Sequence, residues 1–591
     1  MDIRKLVFDR TNCSFAGPIT EVEAPGLAVQ YDGSSAVIRA DTIPAKARGY
    51  MLLAKAIAEG KQTLQISQSP AFKLVGTMLD MSRNGVMKVA SVKKYLEEMV
   101  ILGMNTLMLY TEDTYEVPEY PFFGYQRGRY TLEELREIDD YAFELGIEVI
   151  PCIQTFGHLE HFLRFPASQE LANNQKVLLA DSEKTYDFIR ACVAAVRKAF
   201  RSNRIHIGCD ETHGLELDKY YQLHGTQDKF SVFNRHVSRV VQVCKEFGYQ
   251  PMMWSDMFFT MADPNRTKDY APHIQIPQYV IDTMPECDMV FWDYYNLDND
   301  FYRINIEKHK TFRRPVLFAG GIWTWDGFVP YFTHTYNTMK PALEECLRGG
   351  VDSVFATLWS NDGCETSHFL ANPMLAMFSE YCWLGESCTQ EVIWDLAAFL
   401  TGVTQEMAEA VDELFFHYTG AMRAGKNTLW SDPLINFLYM DYDLEHGIRC
   451  LQNGLSVLER YADHPDTPYY RAVLQASLDK CILHTQLQKR YKAGDRAWLQ
   501  NYAEKDLPKV IANFETLYQL HHTMWHKDYK THGFEVLMYR YAGAIERLKY
   551  CAHVITQYLN GEIPVIEELE PETLQTPMQP WHSAPEFMFI P

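Results

Sequence analysis

Eight short apolar runs alternate with amphipathic helical segments in the central part of the chain, and this pattern constrains the fold most. Successive runs begin roughly 25 to 60 residues apart, the spacing of repeated strand–helix units. The helical segments carry end signals, such as the capping box of Thr131 and Glu134 and the terminating Gly146. Eight such units predict an α/β fold, a (β/α)8 TIM barrel. The runs are residues 74–79, 106–110, 149–153, 205–208, 251–254, 289–292, 315–319 and 353–358.

The segments on either side of the predicted barrel have different patterns. Residues 1–70 contain short alternating strands and one helix, which predicts a small α/β domain. Residues 71–380 form the predicted catalytic barrel, and residues 381–591 are predicted to be an α-helical domain with an extended tail. A doubly wound sheet is the alternative for the central region, but no glycine-rich dinucleotide loop follows its first strand. The helical region has three open roles: covering the barrel, completing a pocket rim or forming a homodimer interface.

Composition narrows the possible partners and the cellular location. The formal net charge of −22 disfavours nucleic acid and anionic membrane surfaces as partners. The 13 cysteines show no regular spacing, which is typical of buried, reduced thiols in a cytosolic protein. No apolar run approaches the length of a membrane span, and the N-terminus lacks the apolar region of a signal peptide. We therefore expect a cytoplasmic protein.

Carboxylates and tryptophans recur where the predicted strands end. In a TIM barrel the catalytic groups lie at the carboxyl ends of the strands. Aromatic faces stack on sugar rings, and carboxylates bind hydroxyls or catalyse, so the pattern predicts a carbohydrate site that takes an oligosaccharide or glycoside. Five of the 11 tryptophans lie at predicted strand ends: Trp254, Trp292, Trp323, Trp325 and Trp359.

The adjacent acids Asp210 and Glu211 are the sharpest single feature. They follow the apolar run that begins at Ile205, so a buried strand ends directly in two carboxyl groups. Neighbouring carboxylates disfavour simultaneous ionisation, so we expect the pKa of one to rise. A raised carboxyl pKa is what a general acid needs at neutral pH.

Two motifs in the predicted barrel resemble those of a known family. The segment His206-Ile207-Gly208-Cys209-Asp210-Glu211 resembles the H-x-G-x-D-E signature of glycoside hydrolase family 20, the β-N-acetylhexosaminidases. The segment Met78-Leu79-Asp80-Met81-Ser82-Arg83 resembles its first-strand motif, and Gly157-His158 also fits. The resemblance covers roughly residues 20 to 375, and the helical C-terminal part is similar to a bacterial branch of the family.

The resemblance implies exo-acting hydrolysis of terminal β-linked N-acetylglucosamine or N-acetylgalactosamine with substrate-assisted retention. The substrate's own acetamido carbonyl would attack the anomeric carbon. Glu211 would be the general acid and base, while Asp210 would hold the acetamido N–H and stabilise the oxazolinium-like intermediate. Tyr294 is the candidate for orienting the acetamido oxygen because it shares a strand face with Trp292. Tyr295 is the fallback, since the family's Tyr-x-Asp after the seventh strand is absent here.

The resemblance also implies the substrate-binding residues. Arg83 would grip ring hydroxyls with its planar guanidinium. Asp362 or Glu365 would accept a further hydroxyl. The remaining predicted substrate-binding residues are His158, Trp254, Trp292, Trp323 and Trp359. No metal and no cofactor are expected.

Three other functions remain open on the sequence. A metal-dependent hydrolase would recruit His158, His161, Asp210 and His213, but neither H-E-x-x-H nor H-x-H is present where it is needed. A non-catalytic glycan-binding protein would keep the aromatic wall without an intact acid. A retaining glycosidase with a protein nucleophile would use a second carboxylate, and Asp256, Asp293 and Asp362 are available.

Overall fold

A four-stranded sheet with two helices forms the N-terminal part of the chain. The computed structural model describes residues 1–263, 270–361, 363–416, 423–435 and 442–572. The sheet order is β1-β3-β2-β4, in which β1 pairs in parallel with β3 and the other pairs are antiparallel. Three of its strands and its longer helix are predicted by the sequence. The elements are α1 Ile3–Arg10, β1 Ile19–Val22, β2 Leu27–Tyr31, β3 Ala36–Ala40, α2 Ile43–Ala58 and β4 Leu64–Gln68.

Eight parallel strands, β5 to β12, close into a barrel, which confirms the predicted fold class. Each strand coincides with one of the eight apolar runs. Nearly every residue of these strands is buried because the barrel interior lies on one side and the outer helices on the other. The strands are β5 Leu74–Asp80, β6 Thr106–Thr111, β7 Glu148–Ile153, β8 Arg204–His206, β9 Gln250–Trp254, β10 Asp288–Trp292, β11 Val316–Gly321 and β12 Ser353–Leu358.

The helices that connect these strands pack on the outside of the barrel. The predicted capping box is present in α4, where Thr131 Oγ1 accepts a hydrogen bond from the Glu134 N–H and the Glu134 carboxylate accepts one from the Thr131 N–H. Together they satisfy two otherwise unpaired helix donors. The helices are α3 Val89–Ile101, α4 Leu132–Glu144, α5 Glu160–Leu163, α6 Glu183–Ala199, α7 Asp218–His224, α8 Lys229–Glu246, α9 Asp256–Ala262, α10 Gln278–Asp282, α11 Asn299–Lys310 and α12 Phe332–Gly349.

The rest of the described chain is helical. The long helices α17, α18, α20 and α21 pack against one another in sequence order. The loop between α20 and α21 reaches the barrel: the Lys530 N–H donates to Val86 O (2.8 Å), and the Lys88 N–H donates to Asp528 O (2.9 Å). The helices are α13 Asn372–Leu384, α14 Gln390–Thr401, α15 Gln405–Asp412, α16 Ala424–Trp430, α17 Leu444–Leu458, α18 Thr467–Lys492, α19 Arg496–Asn501, α20 Leu507–Asp528 and α21 Phe534–Asn560.

Among the helices of the described residues, none is both long and apolar enough to cross a membrane.

Candidate active site

A cavity of about 660 Å³ opens at the carboxyl ends of the barrel strands. The loops after the strands form its wall, and the C-terminal helical part supplies one side. Carboxylate, cationic and tryptophan side chains therefore face the same cavity. The predicted site residues on this wall are Arg83, His158, Asp210, Glu211, Trp254, Trp292, Tyr294, Tyr295 and Trp359.

The chain turns sharply where β8 ends, and this turn presents the two acids. Gly208, Cys209 and Glu211 all have positive φ angles, of 70°, 72° and 46°. A Cβ at Gly208 would collide with the Gln154 side chain, so glycine is required there. The turn directs Asp210 into the barrel mouth, where its side chain is 13% exposed, and leaves Glu211 53% exposed. The Glu211 N–H donates to Asp256 Oδ2 (3.2 Å), which fixes the backbone of the turn.

Two side chains hold Asp210 in its charged form. Gln154 Nε2 donates to Asp210 Oδ1 (2.9 Å), and His158 Nε2 lies 3.1 Å from Asp210 Oδ2. Burial by itself raises the pKa of Asp210, but the His158 charge and these contacts outweigh it and lower the pKa to about 2. Burial likewise lowers the pKa of His158, and Asp210 with Glu211 outweighs that effect and raises it to about 10. The pKa of Asp210 therefore falls, whereas in a pair of carboxyls that share a proton one pKa rises.

Glu112, which sequence reasoning did not select, is a carboxyl group beside the acid pair whose pKa rises. It is fully buried, and burial raises its pKa to about 7 against the opposing charges of Arg83 and His158. Arg83 Nε lies 3.1 Å from Glu112 Oε1, and His158 Nδ1 lies 4.0 Å from the same oxygen. Glu112 therefore stands between the predicted sugar-gripping arginine and the histidine beside the acid pair. The sequence signal that could have identified Glu112 is its position directly after a predicted strand.

Aromatic rings line much of the cavity. The Trp292 and Tyr294 rings stack, with centroids 5.1 Å apart and planes at 20°. The Trp254 ring lies 6.1 Å from Trp359, which in turn contacts the Arg83 guanidinium at 4.9 Å. Hydrogen bonds from Trp359 and Thr357 lower the pKa of Tyr294, but burial dominates and raises it. Such an enclosed aromatic wall suits a pyranose ring and a small apolar substituent.

Trp323 is not on the cavity wall, contrary to the prediction, and Trp325 takes that place. The Trp323 ring lies behind Trp325, stacked at 4.0 Å, and contacts Tyr295 edge-on at 5.5 Å. The reason is that β11 ends at Gly321, so the alternation of a strand no longer decides which side chains face the barrel mouth.

Of the two predicted hydroxyl acceptors, Asp362 lies outside the described residues. Glu365 is buried behind the wall, where its Oε1 accepts a hydrogen bond from Arg540 Nη1 (2.8 Å). Arg540 itself faces the cavity from α21, and Arg423 faces it from the loop before α16, paired with Asp326 at 3.0 Å. The helical part thus completes the pocket rim, one of its three predicted roles.

The histidines named for a metal-dependent hydrolase do not converge. Within the described parts of the chain, no three His, Cys, Asp or Glu side chains form a group that would hold a metal ion. His158 pairs with the two acids, and His161 lies on the cavity wall where burial lowers its pKa to about 4.

Two family models match the chain. Residues 72–276 match the glycosyl hydrolase family 20 catalytic domain, and residues 408–585 match the glycoside hydrolase 20C C-terminal domain. Beta-hexosaminidase 3 of Arabidopsis thaliana is 26% identical over 33% of this chain and 39% of its own length. Hexosaminidase D of Bos taurus is 26% identical over 38% of this chain and 62% of its own length. The chain thus spans less than two thirds of these curated relatives.

Solved structures share the fold. A crystal structure of a beta-N-acetylhexosaminidase superimposes with a TM-score of 0.51 at 16% identity, covering 66% of this chain and 92% of that one. The Streptomyces plicatus N-acetyl-beta-hexosaminidase in complex with Thio-NAglucal gives 0.50 at 16% identity, covering 68% and 89%. With a catalytic-domain model and a C-terminal model of one family matched in chain order, the protein belongs to glycoside hydrolase family 20.

Proposed function

We propose that the protein is an exo-acting β-N-acetylhexosaminidase that releases terminal β-linked N-acetylglucosamine or N-acetylgalactosamine. The observation that carries the proposal is the pair at the end of β8. Asp210 is mostly buried and held as an anion, whereas its neighbour Glu211 is half-exposed at the cavity mouth. The two relatives named hexosaminidase support the same activity.

Glu211 would protonate the leaving oxygen and then take a proton from water. Its exposure at the mouth suits a group that must meet both the aglycone and the incoming water. The buried anion at Asp210 would accept the acetamido N–H and stabilise positive charge that develops on the oxazoline ring, because charge interactions are strong where water is excluded. The Tyr294 hydroxyl, buried among the aromatic rings, is the donor we assign to the acetamido oxygen. No protein nucleophile is required.

Of the three carboxylates considered as a protein nucleophile, Asp362 lies outside the described residues, and the other two, Asp256 and Asp293, have other partners. Asp256 Oδ2 accepts the Glu211 N–H, and Asp293 Oδ1 accepts hydrogen bonds from the Tyr302 hydroxyl (2.9 Å) and the Tyr295 N–H (3.0 Å). Neither residue is on the cavity wall. These contacts favour the acetamido group as nucleophile over either aspartate.

The test is hydrolysis of paired aryl β-glycosides by the wild type and by Glu211→Gln. One pair carries the 2-acetamido group in gluco and galacto forms, and the other carries a 2-hydroxyl. We expect cleavage of acetamido substrates alone, and a loss of about 10²-fold or more in Glu211→Gln with a poor leaving group. Equal cleavage of the 2-hydroxyl pair would favour a protein nucleophile. Binding without cleavage would favour a glycan-binding protein.

Cytoplasmic location, homodimer formation and the domain limits at residues 70 and 380 remain proposals. The 13 free cysteines support the first, since 12 of them are buried and unpaired thiols persist in reducing compartments. Cell fractionation tests the cytoplasmic location, and the native mass in solution tests homodimer formation. Limited proteolysis tests the domain limits.

A further inference from the structure

A second cavity, of about 680 Å³, adjoins the active-site cavity. Glu160 and Arg164 line both spaces, so the two cavities lie side by side at these side chains. Four of the other lining side chains are amides, namely Gln169, Asn173, Asn174 and Gln175. Three of them hydrogen-bond within the protein, which fixes the wall: Gln169 bonds to Leu163 O, Asn173 to Gly214 O and Asn174 to Asp218.

The second cavity lies on the same loop as His158, the residue beside the proposed acid. The Leu159 N–H donates to Lys176 O (3.2 Å), and the Leu178 N–H donates to Phe156 O (2.9 Å), which folds the loop back on itself. Asn173 Nδ2 donates to Gly214 O (3.1 Å), which ties the loop to the segment that follows Glu211. The cavity is therefore built from hydrogen-bonded backbone next to the proposed acid.

An exposed aromatic cluster continues this surface. Phe122 is 42% exposed and Tyr125 is 50% exposed, although most large aromatic side chains of the described chain are buried. The Phe122 ring lies 5.3 Å from Phe165 and 6.0 Å from Tyr125. Phe165 follows Arg164 directly, and Arg164 stands 5.6 Å over its ring. Exposed aromatic faces next to a sugar-sized cavity provide stacking surfaces for further rings.

We propose that the second cavity and this aromatic cluster form an aglycone surface, which binds the sugar residues on the reducing side of the bond that is cleaved. The proposal rests on the proposed function and narrows it. The preferred substrates are oligosaccharides of three or more residues rather than simple glycosides. The wall shared with the active-site cavity and the exposed aromatic rings beside it favour a carbohydrate as the occupant.

The test compares kcat/KM for an aryl β-N-acetylglucosaminide with that for two series of di- to tetrasaccharides. One series carries terminal N-acetylglucosamine linked 1,4 to N-acetylglucosamine, and the other carries it linked 1,3 to galactose. In at least one series we expect kcat/KM to rise about fivefold or more from di- to tetrasaccharide. A flat response in both series, with the aryl glycoside cleaved, would overturn this inference alone. Failure to cleave the aryl glycoside and every oligosaccharide would instead refute the proposed function.

Two variants test the surface itself. Phe122→Ala with Tyr125→Ala removes stacking at exposed positions, and Gln175→Trp fills the second cavity from an exposed position. We expect at least one of them to lower the tetrasaccharide-to-aryl ratio of kcat/KM about threefold or more. Phe143→Ala is the matched control, because Phe143 is an exposed phenylalanine of α4 that lines neither cavity.

Unchanged ratios in both variants would contradict the proposal. If the aromatic double variant altered native mass and neither variant altered the ratio, the cluster would be an interface between copies of this chain, which also overturns it.

Discussion

His158 Nε2 lies 3.1 Å from Asp210 Oδ2 and 3.5 Å from Glu211 Oε2, so one imidazole faces both adjacent acids. His158 has a positive φ of 52°, a backbone conformation that non-glycine residues rarely adopt. The contact therefore depends on a constrained turn after β7 as well as on the turn after β8. The His158 charge lowers the pKa of Asp210, whereas a neighbouring carboxylate alone would raise it.

Replacing His158 by Gln should destabilise the protein in a pH-dependent way. The pKa of folded His158 is about 10, above the ordinary value of about 6.5, so the folded state retains a proton that the unfolded chain releases. The stabilising effect is complete below about pH 6.5 and is lost as the pH rises towards 10. We expect His158→Gln to cost about 3 kcal/mol at pH 6 and less at pH 9, measured by urea unfolding. A cost that is equal at both pH values would contradict the pairing.

Asp210→Asn should change both catalysis and the titration of His158. Removing the carboxylate takes away the charge that raises the pKa of the imidazole, so the His158 titration observed by NMR should move to lower pH. The same variant should reduce kcat about 10²- to 10³-fold, because the acetamido N–H loses its charged acceptor. The exposed Asp140→Asn is a control that should leave both unchanged. Loss of activity with an unshifted titration would refute the electrostatic coupling.

Glu112→Gln should remove a pH dependence centred near neutrality. Burial raises the pKa of Glu112 to about 7, so the folded state keeps a proton that the unfolded chain releases above about pH 4.3. Wild-type stability should therefore fall, relative to the variant, as the pH rises from about 4.3 to 7. Because Arg83 Nε contacts Glu112, we also expect an inflection of KM near pH 7 in the wild type alone. An identical inflection in Glu112→Gln would show that the Glu112 carboxyl is not the source of the pH dependence of KM.

Much of the barrel and part of the site follow from local sequence. The eight barrel strands are buried on both faces, so each appears as a continuous apolar run that the sequence reveals. The exposed strand β1 carries no such signal and is missed. Asp210 and Glu211 are recognisable because a buried strand ends in them.

The missing parts of the site come from long-range contacts. Arg540 reaches the cavity from α21, and no local pattern connects it with Arg83 on the first barrel strand's loop. Glu112 looks like any acid after a strand until burial beside Arg83 becomes visible. The loop after β11 likewise lacks the two-residue periodicity of a strand. This is why the sequence selects Trp323 for the cavity wall, whereas Trp325 occupies that place in the structure.

That exchange predicts different effects for the two tryptophans. Trp325 faces the cavity, so Trp325→Phe should raise KM for an aryl β-N-acetylglucosaminide about threefold or more with a small change in stability. Trp323 is 1% exposed and supports Trp325 from behind, so Trp323→Phe should lower stability by about 1–3 kcal/mol with a smaller effect on KM. Thermal unfolding measures the stability of the two variants, and initial rates measure their KM. The reverse ranking in KM would contradict the assignment.

The buried ion pair between Arg48 and Glu380 should stabilise the junction of the N-terminal helix α2 with α13. Arg48 Nη1 donates to Glu380 Oε1 (2.7 Å), its Nε donates to Gln68 Oε1 (3.1 Å), and its guanidinium stands 5.0 Å over the Trp383 ring. Arg48→Met leaves a buried carboxylate without its charged partner, which should cost about 3–5 kcal/mol. Combining it with Glu380→Leu should restore much of that loss, because two apolar side chains replace two charges. Denaturant unfolding of the single and double variants measures the coupling between the two residues. We expect KM to stay constant in all of these variants. Strictly additive losses of unfolding free energy would show that the ion pair contributes nothing to stability.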